Sequence, residues 1–368
     1  MTHDELNDPI FQHLPHVTKC NRVDLRSGDV LIHAPGFEDR TMAIFDIIAP
    51  VPNVGAILLD YRPHNSNNRV SDVQEKLEQG GISPNVLVYD RFDPNGFEDS
   101  LRDVLLEHCK SRAIVDISTM SKLAIILILQ VCFRLGLEVI VLYTEAQKYG
   151  PTQEEFEKAR GNHEIHRPSM QIFTAIHGVV RVSSLASVAM QGQPTAALSF
   201  MSFNDVLTQA LLNTVFPTRL FLINGRPPVH SWREEATAWI HDQVRREWED
   251  DNPVAGGNRE FPFLPERTVS TLDYRETVSL LLHLYWQLSA THRIILAPAG
   301  SKMQAVGCFL VKALHPDIHI EYPSPEGFLP EYSSGISQHW MVKFGSLKKT
   351  VETISAEEQR EFLQVATV

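Results

Sequence analysis

The chain has 368 residues, of which 43% are hydrophobic and 21% charged, and its formal net charge is −12. This composition excludes disordered and fibrous proteins, and the acidic balance excludes a surface that coats duplex DNA, although it is compatible with a local basic pocket for a small anion. The length predicts two domains of roughly 150–200 residues each.

The first half alternates short apolar runs with helical patterns. Strands are predicted at 30–34, 54–60, 85–89, 112–117 and 137–143, and helices at 41–48, from Ser71 as N-cap to Gly80, at 96–109 and from 123 onward. Continuous apolar strands separated by helices are typical of a parallel sheet that is covered on both faces. We therefore predict an α/β, doubly wound unit of five strands.

The second half repeats this order at nearly constant spacing. Asp39 and Asp205 are 166 residues apart, whereas Lys122 and Lys302 are 180 apart, with a loop-like insertion at 249–258 between the two pairs. The remaining matches are strands at 196–200, 219–223 and 293–298, a helix at 232–244, Tyr322 at the end of a fifth strand, and trailing segments at 173–178 and 341–345. We therefore predict a tandem duplication of α/β, doubly wound domains with mainly parallel sheets: a lead-in at 1–27, a first domain at 28–190 and a second at 191–368.

Neither a leader segment nor a membrane span is expected. The first 21 residues are polar and contain Pro9 and Pro15, and the longest apolar run, at 123–133, is too short to cross a bilayer. The four cysteines are scattered without paired spacing and are predicted to be buried free thiols in a reducing compartment. These features predict a soluble, cytoplasmic protein.

Polar residues gather where the predicted strands end. Ligands of doubly wound sheets bind beyond the carboxyl ends of the strands, where adjacent loops diverge. In the first half this rule selects Glu38, Asp39, Arg40, Arg62, Asp116, Ser118, Thr119, Ser121, Lys122 and Tyr143. Their counterparts in the second half are Asn204, Arg226, Gly300, Ser301, Lys302 and Tyr322.

Two turns, at 116–122 and 297–302, carry the strongest signal. Each joins a strand-like run to a helix-like run and ends in Ser-Lys. Hydroxyl groups and a lysine at a helix start suit a phosphate group. Plain N-capping is the alternative for the serines, and an ion-pair network without a ligand is the alternative for the lysines.

The two predicted sites differ in their acidic residues. Asp116 corresponds to Ala297, and Glu38 corresponds to Asn204. Any catalytic capacity is therefore expected in the first half. No dinucleotide, P-loop, zinc-protease or nucleophile-elbow motif is present, and His163, Glu164 and His166 lie in a polar linker, so we expect no cofactor and no metal.

The turn Asp116-Ile-Ser-Thr-Met-Ser-Lys122, taken with the duplication, resembles the CRISPR-associated Rossmann fold (CARF) family of prokaryotic antiviral sensors. In that family a strand typically ends in an Asp-x-Thr-Gly-Gly-Thr-Lys-like turn that opens a helix. Asp116, Ser121 and Lys122 match this turn, whereas Thr119 and Met120 replace the two glycines. The second turn, at 297–302, keeps one glycine, the hydroxyl and the lysine but lacks the acid.

The resemblance implies two Rossmann-like domains that bind a nucleotide or a cyclic oligonucleotide between them. The chain would be a sensor or accessory subunit of a bacterial antiviral system, with an effector nuclease or an ATPase as its protein partner. In this interpretation Lys122 and Lys302 bind phosphate, Arg62 and Arg226 flank it, and Tyr143 and Tyr322 stack or pack.

Two alternatives remain open at this point. The first is an enzyme that processes a nucleotide, with Glu38, Asp39 or Asp116 as its acid or base. The second is a ligand-free scaffold whose strand ends dock an ATPase or a nuclease.

Overall fold

The structure is a computed structural model that describes residues 9–49, 51–110, 112–162, 170, 172–251, 267–329 and 332–366. His163, Glu164 and His166 of the polar linker, and most of the predicted loop, at 252–258, lie outside the described residues. The described residues form two compact units. We call Gln12–Tyr149 with Ser333–Val368 the first unit, and Met1–Phe11 with Gly150–Tyr332 the second unit.

Sixteen strands alternate with helices along the described chain. The strands of the N-terminal half are β1 (Thr18–Lys19), β2 (Val30–His33), β3 (Gly55–Arg62), β4 (Pro84–Asp90), β5 (Arg112–Asp116), β6 (Glu138–Thr144), β7 (Lys148–Tyr149) and β8 (Ile176–Val180). Those of the C-terminal half are β9 (Thr195–Phe200), β10 (Arg219–Arg226), β11 (Thr268–Ser270), β12 (Arg293–Ala297), β13 (His319–Ile320), β14 (Tyr322–Pro325), β15 (Ser333–Ser334) and β16 (His339–Ser346).

The α-helices lie mainly between consecutive strands. They are α1 (Pro9–His13), α2 (Val70–Gln79), α3 (Phe97–His108), α4 (Lys122–Leu135), α5 (Gln153–Gly161), α6 (Val206–Val215), α7 (Trp232–Asp251), α8 (Tyr274–Leu288), α9 (Lys302–Leu314) and α10 (Leu347–Ala366). None of these described helices has the length and apolar character that crossing a membrane requires.

The first unit contains a seven-stranded sheet in the order β1-β16-β6-β5-β2-β3-β4. Strands β2 to β6 are parallel, whereas β16 pairs antiparallel with β6, and β1 pairs antiparallel with β16. The predicted α/β class with a mainly parallel sheet is therefore confirmed for this unit. On one face, Leu31, Leu58 and Ile114 pack in a buried cluster with Val73 and Leu77 of α2.

The second unit contains a fully parallel sheet in the order β11-β10-β9-β12-β13. This is the same order as β4-β3-β2-β5-β6 in the first unit. Buried apolar residues of β9, α6, β10 and α7 pack together: Ala197, Leu212, Leu220 and Val244. A separate antiparallel pair joins β14 to β8, so Tyr322 lies outside the parallel sheet rather than at the end of its fifth strand.

The two compact units divide the chain differently from the predicted domains at 28–190 and 191–368. Pairing of β16 with β6 attaches the last part of the chain to the first unit. Pairing of β8 with β14 attaches residues 176–180 to the second unit.

Two local predictions were wrong. The segment 41–48 is not an α-helix but contains two 3-10 turns, Asp39–Thr41 and Ala43–Asp46. The Thr41 hydroxyl exchanges hydrogen bonds with the backbone of Gly36, and this local bonding competes with a regular helix. Helix α2 begins at Val70 with Arg69 as its N-cap, so Ser71 lies inside the first turn.

Helix α4 has the strongest local signals for its ends. The Ser121 hydroxyl accepts a hydrogen bond from the backbone N–H of Ala124, and Gly136 ends the helix in a left-handed conformation. Its residues from Leu123 to Cys132 are all buried, which explains why the run is apolar on every side. The cysteines Cys20, Cys109, Cys132 and Cys308 are buried and form no disulfide, as predicted.

Candidate functional site

The first sheet reverses its direction of growth between β2 and β5. The chain runs from β2 to β3 and β4 on one side, and to β5 and β6 on the other. Loops that follow β2 and β5 therefore diverge, and this switch point is where open α/β sheets bind ligands. The last residues of the two strands, His33 and Asp116, are register partners there.

His33 and Asp116 form a buried pair. Nδ1 of His33 lies 2.9 Å from Oδ2 of Asp116, and neither side chain is more than 2% exposed. The other carboxylate oxygen accepts hydrogen bonds from the backbone N–H and the hydroxyl of Ser118. Burial alone raises the pKa of Asp116, but the hydrogen bonds and charge of His33 and the hydrogen bonds of Ser118 outweigh burial and hold the pKa below its ordinary value.

Ser118 links this pair to β6. Its hydroxyl accepts a hydrogen bond from the backbone N–H of Thr144, the last residue of β6, at 2.9 Å. The serine is fully buried, and it caps no helix, since Ser121 is the cap of α4. Capping, the alternative reading of these serines, therefore holds for Ser121 and not for Ser118.

A second buried ion pair lies in the turn after β2. Nη2 of Arg40 lies 2.6 Å from Oε2 of Glu38, and both side chains are nearly inaccessible. Arg40 also donates to the backbone carbonyl of Thr144 at 3.3 Å, and its guanidinium lies 5.8 Å from the ring centre of Tyr149. Glu38 accepts a further hydrogen bond from the hydroxyl of Ser333 in β15. These contacts join the loops after β2 and β6 in one network.

Lys122 is the first residue of α4 and is half-buried. Among the described residues its ammonium group forms no hydrogen bond and no ion pair. Burial and the positive charge of Arg40 lower its pKa to about 8, and Glu38 opposes the shift only in part. The lysine therefore adds positive charge next to a guanidinium and at the positive end of a helix dipole, where an anion is favoured.

Tyr143 and Tyr149 border the same network. Their hydroxyl oxygens are 3.3 Å apart, and the hydroxyl of Tyr149 accepts a hydrogen bond from the backbone N–H of Ala146. Burial is the main reason that the pKa of Tyr143 lies well above its ordinary value, so this phenol keeps its proton at neutral pH.

The other predicted residues of the first half have separate local partners. Nη2 of Arg62 lies 2.7 Å from Oδ2 of Asp60, and the arginine side chain is about half exposed. Its ion-pair partner is therefore separate from the buried contacts of Arg40. Asp39 accepts a hydrogen bond from the backbone N–H of Gly335, and Thr119 donates to the carbonyl of Ala34. The backbone N–H of Ser121 donates to the hydroxyl of Tyr61 at 2.8 Å.

In the second unit the corresponding turn is built around a capping box. Ser301 accepts a hydrogen bond from the backbone N–H of Gln304, and the Gln304 side chain accepts one from the backbone N–H of Ser301. A Cβ atom on Gly300 would lie 2.1 Å from Oε1 of Gln304, so the box requires glycine there. Lys302 follows as the first residue of α9, as Lys122 does in α4.

The remaining predicted residues of the second half make structural contacts. Arg226 pairs with Glu276 at 2.7 Å, and the same carboxylate oxygen accepts a hydrogen bond from the backbone N–H of Ser270. The side chain of Asn204 accepts a hydrogen bond from the backbone N–H of Val206. Tyr322 is buried in β14. The register partners at the switch point are Ser199 and Ala297, which lack the titratable groups of His33 and Asp116.

Sequence reasoning missed His33 and Ser333. His33 ends a buried apolar strand just before Pro35 and Gly36, and a histidine at the carboxyl end of such a strand is the signal that identifies it. Ser333 lies 295 residues from Glu38 in the chain, and no local pattern connects the two.

The described residues contain no group of three or more histidine, cysteine, aspartate or glutamate side chains that would hold a metal ion. No model of a known protein family matches the chain, and no curated protein matches it. In the first unit the ends of β2, β5 and β6 carry Lys122 at the start of α4, the buried ion pair of Glu38 and Arg40, and the pair of His33 and Asp116.

Proposed function

We propose that the first unit binds a nucleotide-type anion at the carboxyl ends of β2, β5 and β6. The observation that carries this proposal is the ammonium group of Lys122, which is half-buried beside Arg40 and has no hydrogen-bond or ion-pair partner among the described residues. A desolvated cation next to a second cation is costly unless an anion neutralises it. A phosphate group suits this position, because the lysine and the N-terminus of α4 both favour negative charge.

Binding is favoured over acid–base catalysis by Glu38, Asp39 or Asp116. Each of these carboxylates already accepts hydrogen bonds from groups of the first unit: Glu38 from Arg40, Asp39 from Gly335, and Asp116 from Ser118. A carboxylate whose oxygens are occupied in this way is held as an acceptor and is poorly placed to take a proton from a substrate.

Two further observations point to a nucleotide as the ligand. The resemblance of residues 116–122 to the CARF turn suggests a nucleotide or a cyclic oligonucleotide. The half-buried rings of Tyr143 and Tyr149 border the cationic network and offer aromatic surface to a base.

The test is a thermal-shift screen of the purified chain against inorganic phosphate and mono-, di- and cyclic oligonucleotides. Mass spectrometry of a heat extract reports any ligand that co-purifies. A ligand at a hundredfold excess over its dissociation constant stabilises the folded state by about 2.7 kcal/mol, which gives a clear rise in Tm. We expect Lys122→Ala to abolish this rise.

Lys110→Ala is the matched control. It removes the same charge from the same unit, but Lys110 lies just before β5, at the opposite edge of the sheet, and its ammonium contacts only a backbone carbonyl of α3 in the described chain. The control should retain the full shift. If Lys122→Ala binds as tightly as the original chain, the proposal is wrong. If binding is lost in Lys302→Ala and not in Lys122→Ala, the ligand binds to the second unit instead.

We also propose that the two units arose by tandem duplication. The same strand order in both parallel sheets, and a Ser-Lys pair at the start of α4 and α9, support this origin. On this proposal the trailing strands are exchanged, because β6 pairs with β16, whereas β14 pairs with β8. The second unit would then have kept the fold and lost the buried acid at the position of Ala297.

The wider role follows from the resemblance and is proposed on that basis alone. The chain would act as a sensor or accessory subunit in bacterial antiviral defence and would signal to a nuclease or an ATPase. Ligand-dependent co-purification of one such protein with the original chain, and its loss with Lys122→Ala, would support this role. Co-purification that is the same with and without ligand, and the same for Lys122→Ala, would favour the ligand-free scaffold instead.

A further inference from the structure

Strand β4 forms an outer edge of the seven-stranded sheet. It pairs with β3 on one side, and no strand of the described chain pairs with its other side. It has seven residues, whereas the other outer strands of the two large sheets, β1, β11 and β13, have only two or three. Proteins commonly protect sheet edges by keeping edge strands short or by placing charges on them. Among the edges of these two sheets, β4 is therefore the least protected by its length.

The backbone groups of alternate β4 residues point to this outer edge. The N–H of Arg91, just after the strand, donates to the carbonyl of Arg62 in β3. Because backbone groups alternate in direction along a strand, those of Leu87 also point to β3, whereas those of Val86 and Val88 point away from it. In the described part of the chain, the N–H and C=O groups of the two valines therefore face no partner strand and are placed to pair with an added one.

The side chains on this edge are apolar and exposed. Val86 is 45% exposed and Val88 is 57% exposed, and Val86 is the register partner of the buried Leu58 in β3. Helix α2 covers the inner strands on that face, where its Val73 belongs to the same buried cluster as Leu58, and it leaves the two valines open. The strand carries no charged residue from 84 to 89. A long, uncharged and apolar edge strand favours pairing with another strand.

The strand is complementary to a second copy of itself. An antiparallel pair centred on Leu87 brings the two leucines opposite each other and places Val86 of each copy opposite Val88 of the other. The outward backbone groups of the valines then meet at hydrogen-bonded positions, and the leucines meet at a non-hydrogen-bonded position, where side chains lie closer. Asp90 falls opposite Pro84, so no two like charges face each other within the paired strands. Centring the pair one residue away in either direction would place Pro84 or Asp90 opposite a valine.

We propose that β4 joins two copies of this chain edge to edge, as an antiparallel pair centred on Leu87 that continues their seven-stranded sheets into one. A two-fold axis between the leucines makes both copies contribute the same strand, as in the commonest closed dimers. The surface is separate from the proposed anion site at the ends of β2, β5 and β6. The pair involves seven residues of each copy, against about 20–30 per side in a standard interface, so we expect a reversible dimer with a micromolar dissociation constant.

The first experiment is sedimentation equilibrium of the full chain over a concentration series, with two lysine variants. Val88→Lys places a charge on the edge of β4, and Val229→Lys is the matched control, because Val229 is 58% exposed and belongs to no strand. We expect the original chain and Val229→Lys to dimerise as the concentration rises, and Val88→Lys to associate at least about tenfold more weakly. Equal association of Val88→Lys and the original chain would refute the proposal. A monomer at every concentration would also refute it, and would leave the edge to a strand of a different protein.

The second experiment tests the register with cysteine variants under mild oxidation. Leu87→Cys should form a disulfide between copies, because opposite residues at a non-hydrogen-bonded position have Cα atoms about 4.5 Å apart. Val86→Cys alone should not, since it lies opposite Val88, whereas a mixture of Val86→Cys and Val88→Cys should. The natural cysteines are buried, and Val229→Cys gives the rate of chance collisions. Crosslinking of Leu87→Cys no faster than that of Val229→Cys would refute the antiparallel pair.

Discussion

His33 and Asp116 are the last residues of two adjacent parallel strands, and their side chains meet at 2.9 Å where the sheet changes direction. At the same register in the second unit, Ser199 stands beside Ala297. The two units share a strand order but not the chemistry of their switch points. The pair of His33 and Asp116, the buried ion pair of Glu38 and Arg40, and Lys122 all lie in the first unit, and the ammonium of Lys122 has no partner in the part of the chain that the structure describes. Function should therefore depend on the first unit.

The tautomer of His33 gives the most direct test of this geometry. We expect Nδ1 of His33 to carry a hydrogen, because the Asp116 carboxylate can only accept. In Asp116→Asn the amide N–H can donate to Nδ1 instead, and the ring hydrogen should move to Nε2. Nitrogen-15 NMR of histidine-labelled protein distinguishes the two tautomers by the shifts of their ring nitrogens.

Assignment of the signal uses His33→Gln, which removes that resonance from the sixteen histidines of the chain. Identical His33 shifts in the original protein and in Asp116→Asn would contradict the assignment of the hydrogen. A neutral ring with its hydrogen on Nε2 alone in the original protein would contradict it as well.

The ion pair of Glu38 and Arg40 is expected to be costly to break from one side. Arg40→Met leaves the buried carboxylate of Glu38 without its main partner, and removal of one member of a buried pair destabilises a protein by about 3–5 kcal/mol. The double variant Glu38→Gln/Arg40→Met should recover part of this loss, since no buried charge is left unpaired. Urea unfolding of the original chain, of Glu38→Gln, of Arg40→Met and of the double variant gives the coupling free energy between the two side chains.

A coupling free energy near zero would mean that the two side chains do not stabilise one another. Arg62→Met with Asp60→Asn is the control pair, because that ion pair is about half exposed on the arginine side. Its coupling should not exceed about 1 kcal/mol.

The sequence was sufficient to predict the parallel strands of the first unit to within two residues at each end. The runs predicted at 112–117 and 137–143 became Arg112–Asp116 and Glu138–Thr144. Buried parallel strands are apolar along their whole length, so each one stands out from the polar loops around it. For the candidate site, the same pattern of strand ends selects Asp116, Ser118 and Lys122 from the sequence.

Other features depend on contacts between distant residues, which no local pattern encodes. The antiparallel pairing of Trp340 with Tyr143 brings together residues 197 apart in the chain. Arg62 looked equivalent to Arg40 as a basic residue after a strand, yet one is exposed beside Asp60 and the other is buried beside Glu38. The contact between His33 and Asp116 depends on the register of two strands, and the two residues lie 83 apart in the chain.

A side chain at Gly300 should disrupt the capping box of α9. A Cβ atom there would lie 2.1 Å from Oε1 of Gln304 and 3.0 Å from Cβ of Phe200, so Gly300→Ala must displace the glutamine from its capping box. Loss of the hydrogen bond from the backbone N–H of Ser301 to the Gln304 side chain costs about 1 kcal/mol, and the close approach to Phe200 adds to it. Gly161→Ala is the control, because a Cβ atom on that glycine meets no other atom within 4 Å. Equal unfolding free energies for the two variants would contradict the capping geometry.

Lys122 should make the stability of the chain depend on pH in the alkaline range. Burial and the charge of Arg40 lower its pKa to about 8, against about 10.4 for a lysine in an unfolded chain. Between these values the unfolded state binds more protons, so this residue makes stability rise with pH, and its full penalty applies below about pH 8. Lys122→Met should therefore be more stable than the original chain at pH 7, by about 1–2 kcal/mol after solvent screening.

The advantage of Lys122→Met should shrink as the pH rises from about 8 towards 10, because the lysine of the folded chain is then largely neutral, and it should disappear only above the unfolded-state pKa of about 10.4. Urea unfolding at pH 7 and at pH 9.5 measures the change, and Lys110→Met, which alters an exposed lysine, should show none. A bound phosphate favours the charged ammonium, so saturating phosphate should remove the advantage at pH 7 and bind more weakly above about pH 8. An advantage that is the same at both pH values, or that phosphate does not alter, would mean that Lys122 is already neutralised within the chain.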